Sequence, residues 1–297
     1  MKFVSRTKIN LSTLLLISLS VIFSCGGYDG NSESTQKGED ANNTITPLNI
    51  TVLLDLSDRI KQDDNTGNTK YIQLEKDSIL LMNIQKSFYN NQAPNGKFKV
   101  VGNRIKVICY PYPQDVSKLE DMEFDMKVND PNDISNKQKQ LLSMDSAWKT
   151  GISYIYRQAK VEVDKDPKFP GSDIWSFFNG PVEVECVEDG YRNILLILTD
   201  GYIYHKNSWK NNGTVCRGIL SETLKSQTAI EHINKEYENL EVMFLEINTS
   251  KGTPEEFDKI EKLLTDWCNN MGIQKVKVVQ TNSPQTTKSY VDKFIGW

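Results

Sequence analysis

Asn193-Ile-Leu-Leu-Ile-Leu-Thr199, followed at once by Asp200-Gly201, decides the fold. Its unbroken aliphatic run lacks the in–out alternation of a strand with one wet face. It reads as a parallel strand covered on both faces. Asn49-Ile-Thr-Val-Leu-Leu-Asp55 is a second short apolar run, and it too ends at a carboxylate. Around these two runs, strand and helix patterns alternate. Residues 71–91 read as a helix with Leu81, Ile84 and Phe88 on one face. Residues 104–110 read as a strand. Met122, Phe124, Met126 and Val128 alternate with mostly charged residues, which predicts a half-exposed edge strand. Residues 135–162 carry a helical pattern, and a short helix opens at Asp173 after the loop 166–172.

Ser221 to Tyr237 is expected as a helix with Ala229, Ile230, Ile233 and Tyr237 inward, and Leu240 to Ile247 as a strand. Thr253-Pro254-Glu255-Glu256 combines a capping box with proline at the first helical position. Phe257, Ile260, Leu264, Trp267 and Met271 form the apolar face of that helix, which Gly272 can end. Lys275 to Val279 is a strand, and Ser283-Pro284 opens a last helix carrying Tyr290, Val291 and Phe294. No internal repeat is visible. The alternation implies one α/β domain with a mainly parallel sheet. Such sheets bind ligands at the carboxyl ends of strands, where the winding reverses. The informative positions are therefore Asp55 and Asp200.

Composition narrows the function. The 297 residues are 38% hydrophobic and 25% charged, which excludes a disordered tail, a collagen and a multi-pass membrane protein. Lys plus Arg is 35 against 39 Asp plus Glu, so a nucleic-acid partner is not expected. Only 2 His are present, too few for His-rich metal sites. The 5 Cys contain no CxxC pair, which argues against a zinc knuckle or a thioredoxin-type dithiol.

Residues 1–24 read as an address rather than structure. Lys2, Arg6 and Lys8 precede an apolar run from Leu11 to Phe23 that is short for a membrane span. The run closes on Ile22-Phe23-Ser24-Cys25, which resembles the lipobox of bacterial lipoproteins, although Phe23 is bulkier than usual there. The resemblance implies cleavage, acylation of Cys25 and a chain anchored by lipid to a bacterial membrane, the outer ahead of the inner. Residues 25–48 are rich in Gly, Ser, Asn and acids, the composition of a flexible tether. Residues 49–297 remain as the folded domain. Export to an oxidising compartment favours pairing of thiols. Cys186 and Cys216 lie in expected loops and are the candidate disulfide; Cys109 and Cys268 fall on elements and are expected as free core thiols.

Both apolar strands end in acid–hydroxyl clusters, Asp55-Leu56-Ser57-Asp58-Arg59 and Thr199-Asp200-Gly201, with Gly171-Ser172-Asp173-Ile174 between them. In this order the three stretches resemble the von Willebrand factor A-type domain. The resemblance implies a six-stranded, doubly wound sheet, mostly parallel with one antiparallel edge strand and helices on both faces. It also implies a metal-ion-dependent adhesion site held by Asp55, Ser57, Ser172 and Asp200. Thr150 is a second candidate for the middle hydroxyl. Two carboxylates and two hydroxyls suit Mg²⁺, Mn²⁺ or Ca²⁺, which take hard oxygen ligands. A carboxylate of the partner would complete the shell.

Arg59 departs from the family pattern, in which a hydroxyl stands at that position. A guanidinium has no acceptor and cannot ligate a cation. It either substitutes for the ion between the acids or points away. The expected function is binding of a protein or surface ligand at the cell envelope. A structural subunit with a metal-free site is the alternative, and a phosphatase- or esterase-like hydrolase ranks below both. No GxSxG elbow or P-loop is present. A serine hydrolase would need His205 or His232 as its base.

Overall fold

The computed structural model describes residues 46–57, 62–63, 69–70, 72–99, 101–112, 115, 117–165, 171–203, 233–249 and 252–297. Leu48–Leu54 (β1), Arg104–Cys109 (β4), Phe124–Asp125 (β5), Arg192–Leu198 (β6), Leu240–Ile247 (β7) and Lys275–Gln280 (β8) build one sheet. Its order is β5-β4-β1-β6-β7-β8. Every pairing is parallel except β4 with β5. Gln62–Asp63 (β2) and Thr69–Lys70 (β3) form a separate antiparallel ribbon. The expected α/β class, with six strands and one antiparallel edge, is what the chain adopts.

The helices are Ile72–Gln92 (α1), Ser117–Glu120 (α2), Ile134–Lys165 (α3), Ile174–Phe178 (α4), Pro181–Cys186 (α5), Pro254–Asn269 (α6) and Pro284–Ile295 (α7). They cover both faces, because the central strands are apolar on both. Ile50, Val52, Leu54, Ile194, Leu196 and Leu198 pack with α1, α3 and α7. Leu53, Leu195 and Ile197 pack with α4, α5 and α6. Alternate residues of one unbroken aliphatic run thus feed two cores, each buried side chain contributing about 1.5–3 kcal/mol. Among the described residues no helix is long and apolar enough to cross a membrane.

Several expectations are corrected. The edge strand is shorter than its alternation: Met122, Phe124 and Met126 are buried, but only Phe124 and Asp125 pair with β4. The expected helix 221–237 does not include 233–237, which are irregular, and 221–232 lie outside the described residues. Ile233 and Tyr237 are buried all the same. The last helix, α7, does carry Tyr290, Val291 and Phe294; its buried residues are Thr287, Val291 and Ile295, and Tyr290 is exposed. Cys186 is a free thiol, fully buried at the end of α5, so the structure carries no bridge from it. Its backbone carbonyl accepts from Asn49 Nδ2 on β1, which draws the helix end onto the sheet. Cys216 lies outside the described residues. Cys109 and Cys268 are free and buried, as expected.

At the amino ends of the strands, Arg192 grips Glu241 through two hydrogen bonds of 2.8 and 2.7 Å. It also donates to the carbonyls of Ile295 and Phe294 at the end of α7. Lys275 adds a third bond to Glu241, of 2.7 Å. Burial pushes the Glu241 carboxyl up, but the bonds and charges of Arg192 and Lys275 outweigh it and hold it below its ordinary value. A depressed carboxyl contributes stability above its unfolded pKa, about 4.3, and loses it as pH falls through the folded value. The urea midpoint of the parent should therefore drop below about pH 4.3, and Glu241→Gln should lessen that drop. A variant whose acid limb matches the parent's would mean that the cluster does not titrate there.

Candidate functional site

The sheet order places the reversal of winding between β1 and β6. From β1 the chain moves outward to β4 and β5, and from β6 it moves the other way to β7 and β8. A crevice at the carboxyl ends of β1 and β6 follows from that topology. Asp55 and Asp200 stand there, 2% and 4% exposed.

Three chain segments meet at this point. The backbone N–H of Asp55 continues the ladder to Leu198 O at 3.0 Å. Thr199 Oγ1 then donates to Asp55 Oδ2 at 2.7 Å, so the hydroxyl of one strand end holds the carboxylate of the other. The other carboxylate oxygen, Asp55 Oδ1, accepts from the Ser57 N–H at 3.0 Å, an Asx turn that sets the course of the chain after β1. The Leu56 N–H donates to Gly171 O at 3.2 Å, which brings in the third segment. Ser172 follows, buried. Asp173 anchors the far side: its N–H bonds Tyr110 O at 2.9 Å, and its Oδ1 caps α4 through the Ser176 N–H.

Asp200 is held by the turn that follows it. Its Oδ1 accepts from the Tyr202 N–H at 3.1 Å, and its carbonyl accepts from the Asn248 N–H at 3.2 Å. Gly201, at φ +94°, turns the chain against Ile260 and Ile247. Tyr202 then donates its hydroxyl to Glu256 Oε1 at the start of α6 (3.0 Å), the glutamate expected in the capping box. Thr253 Oγ1 caps the same helix from the Glu256 N–H.

The structure therefore brings the segments of Asp55, Ser57, Ser172 and Asp200 together. Thr150 is exposed on α3, whereas Ser172 is buried on the segment that Gly171 O ties to Leu56. Arg59, Asp58, Cys25, His205 and His232 lie outside the described residues. Reading the sequence missed the part played by Thr199, whose hydroxyl is the direct link between the two strand ends. The signal was present as a hydroxyl residue just before Asp200, in register with the residue after β1. It also missed a buried chain of side chains on the α1 face. Thr281 and Thr287 donate to Glu246, Gln73 Nε2 lies 3.4 Å from Glu246 and 2.8 Å from Asp77, and Tyr156 donates to Asp77.

The donor set at the strand ends is made of hard oxygens, of the kind that Mg²⁺ and its analogues select. Among the described residues no three or more of His, Cys, Asp and Glu are grouped so that they could hold a metal ion. Two carboxylates with hydroxyls fit a cation that keeps several of its waters and do not fit a fully caged one.

Fold and crevice define a doubly wound α/β protein with its candidate site at the switch point. No family model matches the chain, and no curated protein matches it. Among solved structures it is similar to proximal thread matrix protein 1 of the mussel byssus, at 14% identity and a TM-score of 0.33. The match takes in 84% of this chain and 47% of that one, so this chain spans about half of that protein's length. A likeness that remote carries no argument about function.

Proposed function

We propose that this chain is a lipid-anchored protein of the bacterial cell envelope. Its von Willebrand A-like domain binds a protein or other surface ligand through a divalent cation at the β1/β6 crevice. The observation that carries the reading is the pair Asp55 and Asp200. Both are buried, at the carboxyl ends of adjacent strands, and Thr199 joins their segments. Asp55, Ser57, Ser172 and Asp200 would hold the ion, Mg²⁺ or its analogues Mn²⁺ and Ca²⁺. The ion supplies a Lewis-acidic position for an oxygen of the ligand, a carboxylate above all. The protein's own part is to fix the acids. Thr199 and the Ser57 amide orient Asp55, while the Tyr202 amide orients Asp200.

The same bonds favour a second reading, an inert crevice in a structural subunit, since each oxygen of Asp55 already has a donor. Calorimetric titration of the full chain with Mg²⁺ and Mn²⁺ separates the two. The parent should bind, and Asp200→Ala should abolish binding while its circular dichroism stays that of the parent. If Arg59 stands in for the ion, Arg59→Ser gains an affinity that the parent lacks. Absence of heat in all three folded proteins rejects the cation site and leaves the inert reading.

A further inference from the structure

The carboxyl end of β7, next to Asp200, holds a hydroxyl that folding leaves without a partner. Thr249 is only 6% exposed, and its Oγ1 makes no hydrogen bond. Buried polar side chains are nearly always paired, because an unmade bond sacrifices their hydration. The position of Thr249 is well defined. The preceding residue donates from Asn248 N to Asp200 O at 3.2 Å, and Thr249 O accepts from the Gly252 N–H at 3.2 Å.

The end of β7 is also built to a special course. Phe244 and Ile247 face the same core although three residues apart, because the ladder slips between them. Glu246 absorbs the slip at φ +66°, a conformation seldom taken by a non-glycine residue. Thr281, Thr287 and Gln73 hold its carboxylate on the α1 face. The bulge therefore fixes where the chain leaves the sheet and where Thr249 comes to rest.

We propose that Thr249 supplies a further oxygen to the cation site, on its β7 flank. The proposal rests on the cation reading above and deepens it. A hard divalent ion takes about six oxygens, and Asp55, Ser57, Ser172 and Asp200 offer one side chain each. Arg59 brings no acceptor to the motif where a third hydroxyl would complete the set. A threonine hydroxyl one residue past the Asn248 N–H that bonds the Asp200 carbonyl is an oxygen ligand of the right hardness, and no hydrogen bond within the protein occupies it. The site then spans three strand ends, those of β1, β6 and β7.

Removing the hydroxyl while keeping the shape tests this. Mn²⁺ affinity and the metal-free melting temperature are measured on full-length parent, Thr249→Val, Thr249→Ser and Asp200→Ala. Thr249→Val should melt at or above the parent's temperature without metal, since it removes an unsatisfied group. It should bind Mn²⁺ about tenfold more weakly, the low end for supporting groups of metal sites. Thr249→Ser should retain the parental affinity. Unchanged Mn²⁺ affinity in Thr249→Val, with binding abolished in Asp200→Ala, overturns the role of Thr249 alone. A lower metal-free melting temperature with unchanged affinity assigns the hydroxyl to a structural water and overturns it as well. No Mn²⁺ binding by the folded parent overturns the cation site and this proposal together.

Discussion

Gly171→Ala is expected to lower stability by more than about 3 kcal/mol, among the largest losses for a change of one methyl group. Gly171 sits at φ +54°, where an L side chain is already strained, and a Cβ there would overlap the carbonyl of Leu56 and lie 2.6 Å from Ser57 N. The neighbours cannot retreat cheaply. Leu56 N–H is bonded to Gly171 O, Asp55 to Leu198 and Thr199, and Asp173 to Tyr110. Moving either segment breaks bonds that hold the crevice together. Gly190 is the control, at φ +80° with nothing within 4 Å of its notional Cβ. Gly190→Ala should cost only about 1–2 kcal/mol, the left-handed strain alone. Urea denaturation of both variants isolates the overlap as the difference. A Gly171→Ala protein no weaker than Gly190→Ala would mean that the two segments do not pack this closely.

The second large effect is on location. Cys25→Ala should move the protein from the membrane fraction to the soluble fraction. Each buried methylene of an acyl chain contributes about 0.8 kcal/mol, and a single chain anchors only marginally. Several chains on one cysteine would anchor firmly, and their loss would leave nothing comparable among the described residues, where no helix spans a membrane. Fractionation of cells expressing parent and variant gives the answer. A variant that sediments with membranes as fully as the parent rejects the lipid anchor.

The fold was legible where a single residue pattern admits a single environment. The run from Ile194 to Leu198 serves two cores at once, so a central parallel strand was the reading it allowed. Asp55 and Asp200 were legible as a pair because both follow such runs. What the pattern could not carry was contact between segments distant in sequence. Alternation at Met122, Phe124 and Met126 reports burial, but the length of pairing depends on where β4 lies. Thr199 looked like the last residue of a strand; its hydroxyl gained a role only when β1 came alongside. Glu246 reads as the second of two acids in an otherwise apolar strand, and the bulge that turns it toward Thr281 and Thr287 has no local signature. Residues 233–237 keep their inward Ile233 and Tyr237 without a helix, because Tyr237 is held instead by bonds to Met271 and Phe178.

The strand order bears on how the chain reaches its native state. β1 emerges first during synthesis, yet it is a central strand, and the contact of Asp55 with Thr199 spans 144 residues. Closing so long a loop delays the pairing, and topologies of this kind fold slowly. Until β6 exists, β1 presents an unpaired edge and two greasy faces, the condition that invites aggregation. The domain should therefore depend on being held extended, as by a chaperone, until its carboxyl-terminal half has been made. Refolding yield from urea should accordingly fall steeply as protein concentration rises.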